Sequence, residues 1–177
     1  MKSPTRLGAL AMAAMLTAFS PLANAACNGA DINADAPDAR YTSATDTVTD
    51  LATGLVWKRC AEGLSGATCT GTAFTGDWSQ ALARVAAVNS GAAGTINAGS
   101  TDWRLPNRAE LASLVERKCA APAINSAVFP ATPAQSFWSS SPYALIATTS
   151  WYVDFNAGDV GAALKTSLKN VRLVRGQ

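Results

Sequence analysis

Asp102-Trp103-Arg104-Leu105-Pro106-Asn107-Arg108-Ala109-Glu110-Leu111 is the stretch that decides how the rest of the chain is read. Asn107 with Glu110 three residues later is a capping box. The amide side chain accepts an N–H of the first helical turn, and the carboxylate reaches back to the N–H of the cap. Pro106 falls just outside, where it costs no helical hydrogen bond. Leu111, Leu114 and Val115 then mark one apolar face, and the spacing predicts a helix to about Lys118. Trp103 and Leu105 are core candidates beside it, and Asp102 and Arg104 organise the loop before it.

Upstream, Asp77-Trp78-Ser79-Gln80 repeats the device. Trp78, Ala81, Leu82, Val85, Ala86 and Val88 follow at helical spacing, and Asn89-Ser90-Gly91 is the stop. Earlier still, Thr47-Val48-Thr49-Asp50 and Leu55-Val56-Trp57-Lys58-Arg59 flank the turn Leu51-Ala52-Thr53-Gly54, which predicts a hairpin. Downstream the signals are β: residues 136–140, residues 150–155, a turn at Asn156-Ala157-Gly158-Asp159, residues 160–166 and residues 170–175. A hairpin, two helices and then several strands argue for an α+β fold, with the helices packed on antiparallel strands and hairpins.

The N-terminus carries Met1, Lys2 and Arg6, an apolar run from Leu7 to Phe19, and Ala23-Asn24-Ala25. A charged start, a short apolar stretch and an A-x-A ending predict a signal peptide over residues 1–25. The run falls short of the about 20 apolar residues that a membrane span needs. Asn24 stands where a lipobox would want Leu, so Cys27 is expected to carry no lipid. Residues 26–40 read as an extended lead-in, and residues 41–177 as one domain. The formal charge of the whole chain is +2, and Lys2 and Arg6 leave with the signal. The remainder is near neutral, which gives no electrostatic case for nucleic acid or a membrane surface.

Cys27, Cys60, Cys69 and Cys119 all lie in the exported part. An even count in an oxidising compartment predicts two disulfides. Three pairings are open. Cys60–Cys69 leads, because a short Gly- and Ser-rich loop closes at little entropic cost, and it leaves Cys27–Cys119. Paired C-x-x-C knuckles are missing and the chain has 0 histidines, so zinc is disfavoured. The same absence excludes Ser-His and Cys-His nucleophile arrangements.

The motifs fall in a recognisable order: Asp50-Leu51-Ala52-Thr53-Gly54-Leu55-Val56-Trp57, Trp78-Ser79-Gln80-Ala81-Leu82, the central segment, Pro122-Ala123-Ile124-Asn125, Phe129-Pro130, Phe137-Trp138-Ser139-Ser140-Ser141, Trp151-Tyr152-Val153-Asp154-Phe155 and Val171-Arg172-Leu173-Val174-Arg175. In this order the chain resembles the Lcl C-terminal domain family over about residues 41–175. The resemblance implies a C-type-lectin-like fold, related to that of the formylglycine-generating enzymes. It implies a secreted or surface module of bacteria with no general catalytic activity. One adhesin of the family is associated with sulfated polysaccharides, and some related domains serve as variable binding surfaces. The chain departs from the enzyme branch in having no cysteine beyond Cys119, and it lacks the E-P-N, Q-P-D and W-N-D motifs of calcium-dependent lectins.

The expectation is therefore a secreted or periplasmic, non-catalytic binding module that contacts a polysaccharide or a surface protein through its C-terminal loops. No catalytic residue, metal or cofactor is expected, nor nucleic-acid binding or membrane insertion, and the oligomeric state is open. Two rivals stand beside it: an envelope-associated structural domain without a ligand site, and a histidine-free hydrolase using carboxylates such as Asp154 with Asp159 or Glu110 with Glu116. Trp57, Trp78 and Trp103 read as core, and core is also favoured for Trp138 and Trp151. Ser139, Ser140 and Ser141 read as strand and turn hydrogen bonding. The expected contact surface is Tyr143, Trp151, Asp154 and Asn156, on loops between late strands.

Overall fold

The computed structural model describes residues 26–28 and 33–176, so the expected signal peptide lies outside the described residues. In chain order the first strands are β1 (Ala26–Cys27), β2 (Tyr41–Ser43), β3 (Thr47–Asp50), β4 (Val56–Lys58), β5 (Leu64–Ser65), β6 (Thr70–Gly71) and β7 (Thr75–Gly76). The helices α1 (Trp78–Asn89) and α2 (Arg108–Ala112) follow. The chain then returns to strands: β8 (Cys119–Ala120), β9 (Ser136–Pro142), β10 (Thr149–Asp154), β11 (Asp159–Leu164), β12 (Lys169–Asn170) and β13 (Val174–Arg175). The fold is α+β and disulfide-bonded, through Cys27–Cys119 and Cys60–Cys69.

The large sheet has the order β11-β10-β9-β12-β7 and the small one β13-β4-β3-β2, while β1 with β8 and β5 with β6 form two-stranded ribbons. Alternate residues of a strand face opposite ways, and β9 uses this to feed two cores. Phe137 joins Leu111, Leu114, Val153 and Phe155 on the α2 side. Trp138 joins Ala81, Val88, Trp103 and Leu105 on the α1 side. The large sheet is thus the partition between two apolar clusters, and each helix closes one of them.

Both capping boxes form as the sequence predicts, Asp77 with Gln80 and Asn107 with Glu110. The helices themselves differ from expectation in two respects. On α1 only Ala81 and Val88 are buried; Leu82 is 41% exposed and Ala86 is exposed. The contact stripe is narrow, with Trp78 and Val85 packing along its margin. The second helix ends at Ala112 rather than near Lys118. Long-range partners outbid helix propagation there. Arg40 Nη1 donates to the Ser113 carbonyl, and Val115 bridges to Ile124 in antiparallel fashion.

The last expected strand is split into β12 and β13 because the chain crosses there from the large sheet to the small one. Arg172 sits at the crossing with no exposed surface, donating to the carbonyls of Lys58 and Arg59 and to Thr132 Oγ1. The lead-in is likewise not plainly extended. Ala36 is fully buried, residues Asp38–Arg40 form a 3-10 turn, and the buried Glu116 carboxylate accepts the N–H groups of Asp35, Ala36 and Lys118.

Candidate functional site

The hairpin of β9 and β10 carries the residues singled out by sequence. Its register runs Asp154↔Ser136, Val153↔Phe137 and Tyr152↔Trp138, then breaks before Ser150↔Pro142. Two residues on β10 span four on β9, so β9 bulges at its serine run. The hydroxyls make the bulge. Ser139 Oγ donates to the Trp151 carbonyl, Ser150 Oγ donates to the Ser141 carbonyl, and Ser141 Oγ accepts the N–H of Arg108 at the start of α2. The serines therefore dock the first turn of α2 against the hairpin.

That docking builds a platform. The rings of Tyr143 and Trp151 meet edge to face, centroids 5.1 Å apart at 71°. The Arg108 guanidinium lies 4.6 Å from the Trp151 ring centroid. Tyr143 and Trp151 are both half-buried, and neither belongs to either apolar cluster. The other four tryptophans are spent differently: Trp57, Trp103 and Trp138 are buried, and Trp78 packs on the second cluster while donating to the Ser139 carbonyl. Leu145, 82% exposed, and Ile146, 51% exposed, continue the apolar surface along the loop.

Asp154 and Asn156 lie elsewhere. Asp154 pairs with Ser136, at the end of β9 opposite to Pro142. Being three residues from Trp151, Asp154 also projects from the other face of the sheet. These two residues line a cleft of about 460 Å³ with Thr75, Gln135, Ser136 and Lys169 among its other walls. The Lys169 ammonium rests 3.9 Å from the Tyr152 ring centroid and 5.1 Å from that of Trp138. Burial pushes its pKa down, and the charge of Asp154 pushes it partly back. The four expected contact residues are thus two pairs at opposite ends of the hairpin, and the single surface read from sequence divides.

Residues 46–175 match the family model of the Lcl C-terminal domain. The chain belongs to the Lcl C-terminal domain family. A comparison with curated proteins found no match. The matched span of this Lcl C-terminal domain contains the platform, the cleft and both helices.

Arg108 and Lys169 were not singled out by sequence, though each completes one pair. Arg108 carries a faint local signal: it directly follows the cap Asn107, so its position on the first turn is fixed. Lys169 has none, since its rings come from β9 and β10. Three of the four carboxylates weighed for hydrolysis are committed to backbone and side-chain partners. Glu110 serves Arg104 and Asn107, Glu116 serves three N–H groups, and Asp154 accepts the Asn156 N–H. No group of three or more potential metal ligands occurs among the described residues, and no helix among them is long and apolar enough to cross a membrane. Two disulfides argue for an oxidising compartment.

Proposed function

We propose that this Lcl C-terminal domain is an exported, non-catalytic binding module that holds a polysaccharide on the platform of Tyr143 and Trp151. The observation that carries the reading is the use of Trp151. A domain serving structure alone would bury it, as it buries Trp57, Trp103 and Trp138, whereas Trp151 stays in neither core and presents an aromatic face with Tyr143. Aromatic side chains offer large contact area at low entropic cost. Arg108 adds a fixed cation beside them for an acidic substituent of the ligand. The reading takes the two helices and two sheets as a C-type-lectin-like frame whose later loops meet the ligand.

Glycan and surface-protein arrays probed with the exported, disulfide-bonded chain test the proposal. The expected result is retention of acidic polysaccharides, weakened at least about tenfold by Tyr143→Ala, a loss of about 1.4 kcal/mol. Blank glycan arrays, or binding that Tyr143→Ala leaves untouched, overturn it. Capture by a surface protein alone replaces the polysaccharide with the other partner class.

A further inference from the structure

β11 is one edge of the large sheet, and past its first residue, the charged Asp159, it carries none of the usual protections. Between Asp159 and Lys165 the strand reads Val160-Gly161-Ala162-Ala163-Leu164, without a charge or a proline. It pairs with β10 over six consecutive positions without a bulge. Natural edge strands are blunted by lysines, prolines, bulges or cover. Here Val160 is 43% and Leu164 is 56% exposed, and Ala162 between them is exposed on the same face.

We infer that β11 pairs antiparallel with β11 of a second copy of this chain, about a two-fold axis at Ala162. Charge and side-chain size select both the occupant and the register. With Ala162 opposite Ala162, Asp159 lies opposite Lys165 of the second copy at both ends, and Val160 lies opposite Leu164. Opposite charges and apolar pairs placed directly across from one another stabilise a sheet. Symmetric pairing centred on Gly161 or Ala163 leaves Asp159 or Lys165 facing a small residue. A one-residue slip turns the apolar set to the wrong face. Lys165 Nζ donates to the Ala147 carbonyl and lies 4.6 Å from the Trp78 ring centroid; an ammonium has three donors, so a hydrogen is left for a carboxylate. On the opposite face Gly161 meets Ala163, both small, with the Tyr152 ring lying over Gly161.

The dimer has a consequence for the proposed platform, and this consequence alone rests on that reading. Trp151 pairs with Ala162, so Trp151, Ala162 and their two-fold mates lie on one line across the joined sheet. Three interstrand spacings set the two Trp151 backbones about 14 Å apart, with both rings on the same face. A repeating polymer then meets two platforms at once and gains by avidity.

Sedimentation velocity over a concentration series, run without ligand, tests the pairing apart from any binding claim. The expected result is a monomer–dimer equilibrium that Val160→Lys weakens at least about tenfold while the melting temperature holds. Mild oxidation of Ala162→Cys should give a disulfide-linked dimer. Val160→Cys should not, because its two copies are displaced about 13 Å along the strands, beyond the about 7 Å that a disulfide bridges. A monomer at every concentration overturns the inference. So does equal cross-linking at both positions, or a dimer indifferent to Val160→Lys.

Discussion

Arg104 and Glu110 meet fork to fork, with both guanidinium Nη atoms 2.8 Å from carboxylate oxygens. The same carboxylate accepts the Asn107 N–H at 2.7 Å, so one side chain closes the capping box and ties it to the incoming loop. Trp103, whose backbone N–H and carbonyl are both held by the Asn89 amide at the end of α1, is buried and donates its Nε1–H to the Asn97 carbonyl. These roles rank the costs. Asn107→Ala removes a cap, worth about 0.5–2 kcal/mol. Trp103→Ala opens a core cavity and costs about 3–5 kcal/mol. Glu110→Ala falls between them, since it loses the box and a half-exposed ion pair. Urea denaturation of the three variants checks the order, and equal small effects would contradict it.

The two capping boxes and the β3–β4 hairpin were legible because their chemistry is local. Asp77 with Gln80, and Asn107 with Glu110, lie three residues apart, and Gly54 takes the positive φ of its turn at 74°. The end of α2 was not legible, since Arg40 and Ile124 decide it from far along the chain. Nor was the crossing at Arg172, where residues 170–175 read as one strand while the chain changes sheets. Of the candidate site, sequence found Tyr143 and Trp151 as neighbours across a loop. It could not separate them from Asp154, because which end of a hairpin a residue occupies depends on register.

The two disulfides should differ in weight. Cys27–Cys119 closes a separation of 92 residues and Cys60–Cys69 one of 9. Chain entropy assigns about 4.6 kcal/mol to the first and about 2.6 kcal/mol to the second. Replacing both cysteines of a pair by serine avoids stray thiols. The Cys27/Cys119 double variant should lose more melting temperature than the Cys60/Cys69 one, by differential scanning calorimetry. The reverse order would mean that the N-terminal staple constrains little of the unfolded chain.

Acid stability should depend on Asp50. Burial pushes its carboxyl pKa up, but hydrogen bonds from Arg40, Thr53 and the Ala52 N–H outweigh this and hold it below the ordinary value. A folded pKa below the unfolded one contributes stability above the unfolded value, and that contribution disappears as pH falls through the folded one. Stability should therefore be level down to about pH 5 and fall below about pH 4. Asp50→Asn should cost about 1–3 kcal/mol at neutral pH and flatten the acid limb in urea titrations against pH. An unchanged limb would assign the acid response to other carboxylates.

Arg172 should prove structural. Its replacement by methionine leaves the Lys58 and Arg59 carbonyls and Thr132 Oγ1 without their donor inside the protein. Breaking a buried charged network of this kind costs about 3–5 kcal/mol. Arg108→Ala, at an exposed position, should change stability little while lowering ligand affinity. Thermal melts of both variants separate the two arginines, and comparable losses would place Arg108 in the frame instead.

The division of the candidate site gives the last prediction. Tyr143 is half-buried against Trp151, and no core cluster depends on it. Tyr143→Ala should weaken polysaccharide binding at least about tenfold and leave the melting temperature nearly unchanged. Asn156 is exposed in the turn after β10, at the cleft on the other end of the hairpin. Its backbone carbonyl, not its side chain, accepts the Ala121 N–H, so Asn156→Ala should also leave the fold intact. Tyr143 lies level with Thr149, and about seven residues of chain, roughly 20 Å when extended, separate that level from Asn156, so one small ligand cannot touch both. A short oligosaccharide should therefore respond to Tyr143→Ala and ignore Asn156→Ala, as isothermal titration would show. Sensitivity to Asn156→Ala alone would move the site to the cleft of Asp154 and Lys169. Loss of binding through Arg84→Ala on α1, with both loop variants normal, would move it off the hairpin altogether.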